Sequence, residues 1–155
     1  MNSMKYSKLM KERIYRTQVL FKELGYELTD IEESDGAFSS SFQNEEGYQG
    51  SFFIDEDSKF LEIVYTFTYS KTLQEYLRSR MEDIFRTCYE FGCYLNLQFS
   101  KQEINLSIFS KIYYAGLNFY SLKETLRDFK SAVKGIKDLT EIKSEHRKGD
   151  VHGDT

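Results

Sequence analysis

At 155 residues, 40% hydrophobic and 30% charged, with no proline or tryptophan, the chain has the composition of one folded domain and of neither a disordered protein nor a proline-rich linker. Its net charge of −4 argues against a nucleic-acid-binding surface spread over the whole domain. The short apolar runs, such as Ile63-Val64-Tyr65, fall well below the roughly 20 residues a membrane-spanning helix needs.

The N-terminal segment carries Lys5, Lys8, Lys11, Arg13 and Arg16 without an uninterrupted apolar core, so no secretory signal is expected and a cytoplasmic protein is the default. A first helix is predicted over 4–24, from Met10, Ile14, Phe21 and Leu24 with Leu9, Val19 and Leu20 alongside. Gly25 suits its left-handed stop. Tyr26–Asp30 reads as an extended link or short strand. Three strands follow, at about Ala37–Phe42, Tyr48–Ile54 and Phe60–Tyr69, separated by turn-like segments short enough for antiparallel pairing. In the third, Leu61, Ile63, Tyr65, Phe67 and Tyr69 alternate with Glu62, Val64, Thr66 and Thr68, the period of a strand with one buried face.

Thr72-Leu73-Gln74-Glu75 has the pattern of a capping box and opens a second helix, with Leu77, Met81, Ile84, Cys88 and Phe91 on one face and Gly92 at its end. A hairpin follows, with Cys93, Leu95, Leu97 and Phe99 expected to face inward on one strand and Ile104, Leu106 and Ile108 on its partner. Ile112–Leu117 extends it or adds a strand. A second capping box, Ser121-Leu122-Lys123-Glu124, opens a third helix that buries Leu122, Leu126, Phe129, Val133 and Ile136. The resulting fold is α+β, an antiparallel sheet packed by three helices in the order α-βββ-α-ββ(β)-α. It occupies a single domain, 1–139, and a polar segment, 140–155, is expected to be disordered.

Charge is unevenly placed. Residues 1–23 hold six basic groups against two acids, whereas residues 27–62 hold eleven acids against Lys59. The first helix therefore has a basic outer face, expected to be solvated and near the acidic loops; the alternative is that one of these two surfaces steers a partner of opposite charge.

No phosphate-binding glycine loop and no H-E-x-x-H helix occurs. Both histidines, His146 and His152, lie in the polar tail, which leaves a hydrolytic triad without a histidine in the folded region. Cys88 and Cys93 match no common zinc spacing and read as buried or half-buried thiols. The acids of the predicted loops lack the calcium-loop pattern. Neither catalysis, a metal nor a cofactor is expected. The aromatic content is more informative: thirteen Phe and twelve Tyr exceed what a core of this size usually requires. Tyr113-Tyr114 and Phe119-Tyr120 flank a predicted bend where at least one ring of each pair faces out. With Phe53 and Val64 on the less buried sheet face, they are the candidate partner-binding residues.

This layout resembles the type III secretion chaperone-like fold and, within it, the YbjN-like branch of bacterial regulators. The segments that carry the resemblance are Leu20-Phe21-Lys22-Glu23-Leu24-Gly25-Tyr26, Gly50-Ser51-Phe52-Phe53-Ile54-Asp55, the helix and hairpin from Leu77 to Phe109, and the helix from Tyr120 to Ile136. The resemblance implies an acidic cytoplasmic protein without enzymatic activity, often a homodimer, that binds a protein partner or client in a regulatory or chaperone-like role. The alternative from the residues alone is a small-molecule sensor with a pocket between sheet and helix.

Overall fold

The computed structural model describes residues 6–152, with side chains through Glu141. The fold is α+β. An antiparallel sheet of six strands, in the order β1-β2-β3-β4-β6-β5, is accompanied by three helices. In chain order the elements are α1 (Lys8–Glu23), β1 (Glu27–Ser34), β2 (Ala37–Gln43), β3 (Gln49–Asp55), β4 (Phe60–Ser70), α2 (Gln74–Glu90), β5 (Tyr94–Phe99), β6 (Glu103–Tyr113) and α3 (Phe119–His152). The segment expected to be a link or short strand is thus a full strand, β1, and the first strand run has four members. Three-residue turns of 3-10 helix precede α2 and α3, at Lys71–Leu73 and Tyr114–Gly116. β6 absorbs Ile112 and ends at Tyr113, so the hairpin extends and no further strand forms.

The chain divides into two compact units, residues 1–65 with 109–127, and residues 66–108 with 128–155. In the first, Ser7 caps α1: its Oγ accepts from the Met10 amide at 3.1 Å. Met10, Ile14, Thr17, Leu20 and Phe21 recur at helical spacing and are buried. The Phe21 ring stacks 4.7 Å from Phe52 and lies 4.9 Å from Phe42, so α1 covers the sheet face that carries Phe42 and Phe52. The helix closes in a Schellman motif. The Tyr26 amide returns to the Phe21 carbonyl and the Gly25 amide to that of Lys22, both at 3.0 Å. The Tyr26 and Phe21 rings meet edge to face at 5.9 Å, the apolar contact that accompanies this closure.

The third helix starts earlier than Ser121. Its cap is Asn118, whose Oδ1 accepts from the Ser121 amide at 2.9 Å while the Asn118 amide donates to Ser121 Oγ at 2.9 Å. Ser121 therefore closes a reciprocal box from the third helical position and does not open one.

In the second unit, β4 runs on to Ser70, so the expected cap at Thr72 moves back two residues. Ser70 Oγ accepts from the Thr72 amide at 3.2 Å and starts the 3-10 turn that leads into α2. Leu77, Ile84 and Cys88 of α2, Ile104, Leu106 and Ile108 of β6, and Phe129, Ala132 and Ile136 of α3 are buried. Tyr69 donates to Thr140 Oγ1 at 3.1 Å, and Tyr76 donates to the Leu139 carbonyl at 2.8 Å. Thr140 is buried, so packing reaches the first residue of the segment expected to be disordered. From residue 142 onward that expectation lies outside the described side chains.

Candidate functional site

Strand alternation gives the first unit a second sheet face. Phe38, Phe42, Phe52, Ile54, Leu61 and Ile63 point toward α1 and are buried. Their neighbours Ser39, Ser41, Ser51, Phe53, Phe60, Glu62 and Val64 point the other way. Register fixes who stands beside whom: Ser39 faces Phe53, and Phe53 faces Glu62. On the far side of β4, the Tyr114 amide donates to the Lys59 carbonyl at 3.0 Å, which sets Phe60 opposite Tyr113. Their rings lie 5.7 Å apart at a tilt of 36°. The Lys111 ammonium lies 4.7 Å from the Phe60 centroid and 5.5 Å from that of Tyr113, a cation held over an aromatic pair.

Phe53 is 42% exposed and Tyr113 is 53% exposed, both unusual for rings on a sheet. Beside Phe53 lies a shallow depression of about 420 Å³ whose walls include Glu32, Glu33, Asp55 and Glu62. The acidic strand region recognised in the sequence therefore gathers around an exposed ring.

The six sequence-derived candidates are distributed unevenly. Phe53 and Tyr113 lie on the open face. Val64 shares that face but is only 9% exposed: its short branched side chain sits on a central strand between β3 and β6 and packs into the surface. Phe119 and Tyr120 stand at the start of α3, edge to face at 5.3 Å, with Tyr120 75% exposed. Tyr114 turns away from its neighbour Tyr113. Its ring is covered by the Arg13 guanidinium at 4.3 Å. Burial pushes its phenol up to about 12; Arg13 opposes the shift and the Asp55 carboxylate adds to it.

Sequence reasoning missed Phe60 and Lys111 as members of this surface. Their juxtaposition depends on β4–β6 pairing, and more than thirty residues separate those strands in the chain. Among the described residues, no group of three or more His, Cys, Asp or Glu side chains is placed to hold a metal ion, and no helix is long and apolar enough to cross a membrane.

No family model matches the chain, and no curated protein does. A crystal structure of an uncharacterized protein from Methanothermobacter thermautotrophicus is similar in fold, with a TM-score of 0.62 over 85% of this chain and 97% of the other, at 17% sequence identity.

Proposed function

We propose that this chain is a non-catalytic, cytoplasmic protein-binding domain with a regulatory or chaperone-like role, in keeping with its resemblance to YbjN-like and secretion chaperone-like proteins. The supporting observation is the open sheet face: Phe53 and Tyr113 are exposed, Phe60 lies beneath a lysine, and the depression beside Phe53 has four acids in its wall. Exposed aromatic side chains supply large contact area at low entropic cost, and the acids favour a partner segment that carries Lys or Arg. Replacing Phe53 and Tyr113 together by serine removes the contact area while leaving the core untouched. The partner that co-purifies with the wild-type chain is expected to be lost from this variant, and a photo-crosslinker at position 53 to capture it. Undiminished recovery with the double variant refutes the assignment.

Self-association is proposed through β5. It is the last strand in the order and its sequence, Tyr94-Leu95-Asn96-Leu97-Gln98-Phe99, carries no charge. The opposite edge, β1, is defended by Glu27, Asp30, Glu32 and Glu33 and by a bulge between Thr29 and Glu32, where Asp30 takes φ +50°. Two copies of β1 would oppose their acids, whereas two copies of β5 would not. Phe85 and Tyr89 of α2, 55% and 88% exposed, offer further contact area in the same unit. Light scattering is expected to show a dimer that Asn96→Lys with Gln98→Lys converts to a monomer. A wild-type monomer at a concentration on the order of 100 µM would rule the arrangement out.

A further inference from the structure

Between α1 and the turn that follows β6, the first unit holds a second groove, of about 350 Å³. That is near the lower end of the roughly 300–1,000 Å³ range of small-ligand pockets. Two guanidinium groups line it, Arg13 and Arg16, against an apolar wall of Leu9, Ala115 and Leu117.

Both arginines are anchored by neutral groups. Arg13 Nη1 donates to the Ser58 carbonyl at 3.2 Å and its guanidinium lies over the Tyr114 ring. Arg16 Nη2 donates to the Leu117 carbonyl. No carboxylate of the described residues lies within ion-pair distance of either one. Glu12 lines the same groove and stands four residues before Arg16, the spacing at which helical ion pairs form, yet the two do not pair. A guanidinium has five donors, so a carbonyl bond leaves most of them available. Like charges three residues apart on a helix repel, and here both are held on one groove by contacts that do nothing to neutralise them. The Tyr114 side of the groove also carries a buried hydroxyl with no hydrogen-bond partner among the described residues.

We propose that Arg13 and Arg16 form a binding site for a small organic anion, whose carboxylate or phosphate oxygens are taken by the two guanidiniums and whose apolar portion lies against Leu9, Ala115 and Leu117. Planar, forked donors already fixed by backbone carbonyls suit an oxyanion better than a mobile lysine would. The site shares no residue with the open sheet face, so it stands or falls apart from the protein-binding assignment.

The test is a titration of the full chain with inorganic phosphate and, separately, with hexanoate, followed by NMR of backbone amides and arginine side chains. Saturable shifts centred on Arg13, Arg16 and Ala115 are expected, and Arg16→Gln is expected to weaken binding at least about tenfold. Arg16→Lys, which keeps the charge and loses the fork, is expected to weaken it as well. Arg16 is exposed and these variants leave the Tyr114 stack in place, so they read binding apart from folding; Arg13→Gln would disturb both. Saturation by phosphate alone identifies a phosphate-bearing ligand, and saturation by hexanoate alone a carboxylate; either supports the site. Shifts that grow linearly with both anions, or that Arg16→Gln leaves unchanged, overturn it.

Discussion

The amide of Cys93 donates to the carbonyl of Cys88 at 2.8 Å, and between them Gly92 takes φ +69° while its amide reaches the Tyr89 carbonyl at 3.3 Å. These are the paired bonds of a Schellman closure, so the two cysteines occupy the positions at which such a motif places its apolar contact. They serve as small hydrophobes that end α2 and launch β5. An added Cβ at Gly92 would meet nothing within 4 Å, which leaves backbone strain as the whole cost of Gly92→Ala. That substitution is expected to destabilise the chain by about 1–2 kcal/mol in urea unfolding. A loss below about 0.3 kcal/mol would show that the left-handed closure contributes little.

The cap of α3 gives a second expectation. Asn118 and Ser121 satisfy one another's amides, so Asn118→Ala leaves the Ser121 amide without its side-chain acceptor and is expected to cost about 1 kcal/mol. Thr72→Ala, at the position the sequence pattern marks as a cap, is expected to cost less than Ser70→Ala, because the Ser70 hydroxyl holds the turn. Paired thermal melts of the three variants decide the order, and a more damaging Thr72→Ala would restore the reading of Thr72 as the cap.

Both displaced caps show what a linear pattern can and cannot convey. The spacing of buried Leu61 and Ile63 with half-buried Tyr65 and Phe67, or of Met10, Ile14 and Phe21, reports the inward face directly, and the elements it predicts form with ends within a few residues. A cap is chosen by where the preceding chain arrives. β4 continues to Ser70, and the turn after β6 delivers Asn118, so neighbouring hydroxyl and amide side chains take the role. β1 is harder to read because nearly all of it is exposed and half its residues are acidic, which removes the alternation that marks a strand. The candidate surface is legible only residue by residue. Phe53 and Tyr113 announce themselves as surplus aromatics, but Lys111 over Phe60, or Arg13 over Tyr114, follows from pairings between distant segments that no local pattern encodes.

Gly50 tests the tightest spot in the first unit. A Cβ placed there would lie 2.8 Å from the Phe42 ring and 3.2 Å from the Val64 carbonyl. Phe42 is itself held against Phe21 and Tyr26, at 4.9 and 5.3 Å between ring centroids, and has no room to yield. Gly50→Ala is expected to destabilise by about 1–3 kcal/mol through overpacking. Combining it with Phe42→Leu should recover part of that loss, because the smaller side chain vacates the space. Purely additive losses in chemical denaturation would place the strain on the backbone instead.

Alkaline pH offers the last test, on buried Cys88 and half-buried Tyr114. Burial pushes the Cys88 thiol up from 9.0 to about 11, and the Tyr114 phenol from 10.0 to about 12 against the opposing pull of Arg13. In both cases the folded chain keeps its proton at a pH where the unfolded chain releases it. The stabilisation is therefore complete below pH 9 and is lost as pH rises through 9 to 12, since the native state then binds more protons than the unfolded one. Urea midpoints measured from pH 8 to 11 are expected to fall steadily above pH 9. Cys88→Ala is expected to remove the earlier part of that fall while lowering stability at pH 8, where the thiol acts only as a buried apolar group. Native-state alkylation provides an independent reading. Cys88, 3% exposed and protonated, should label far more slowly than half-buried Cys93, and equal rates at pH 8 would contradict the burial of the α2 terminus.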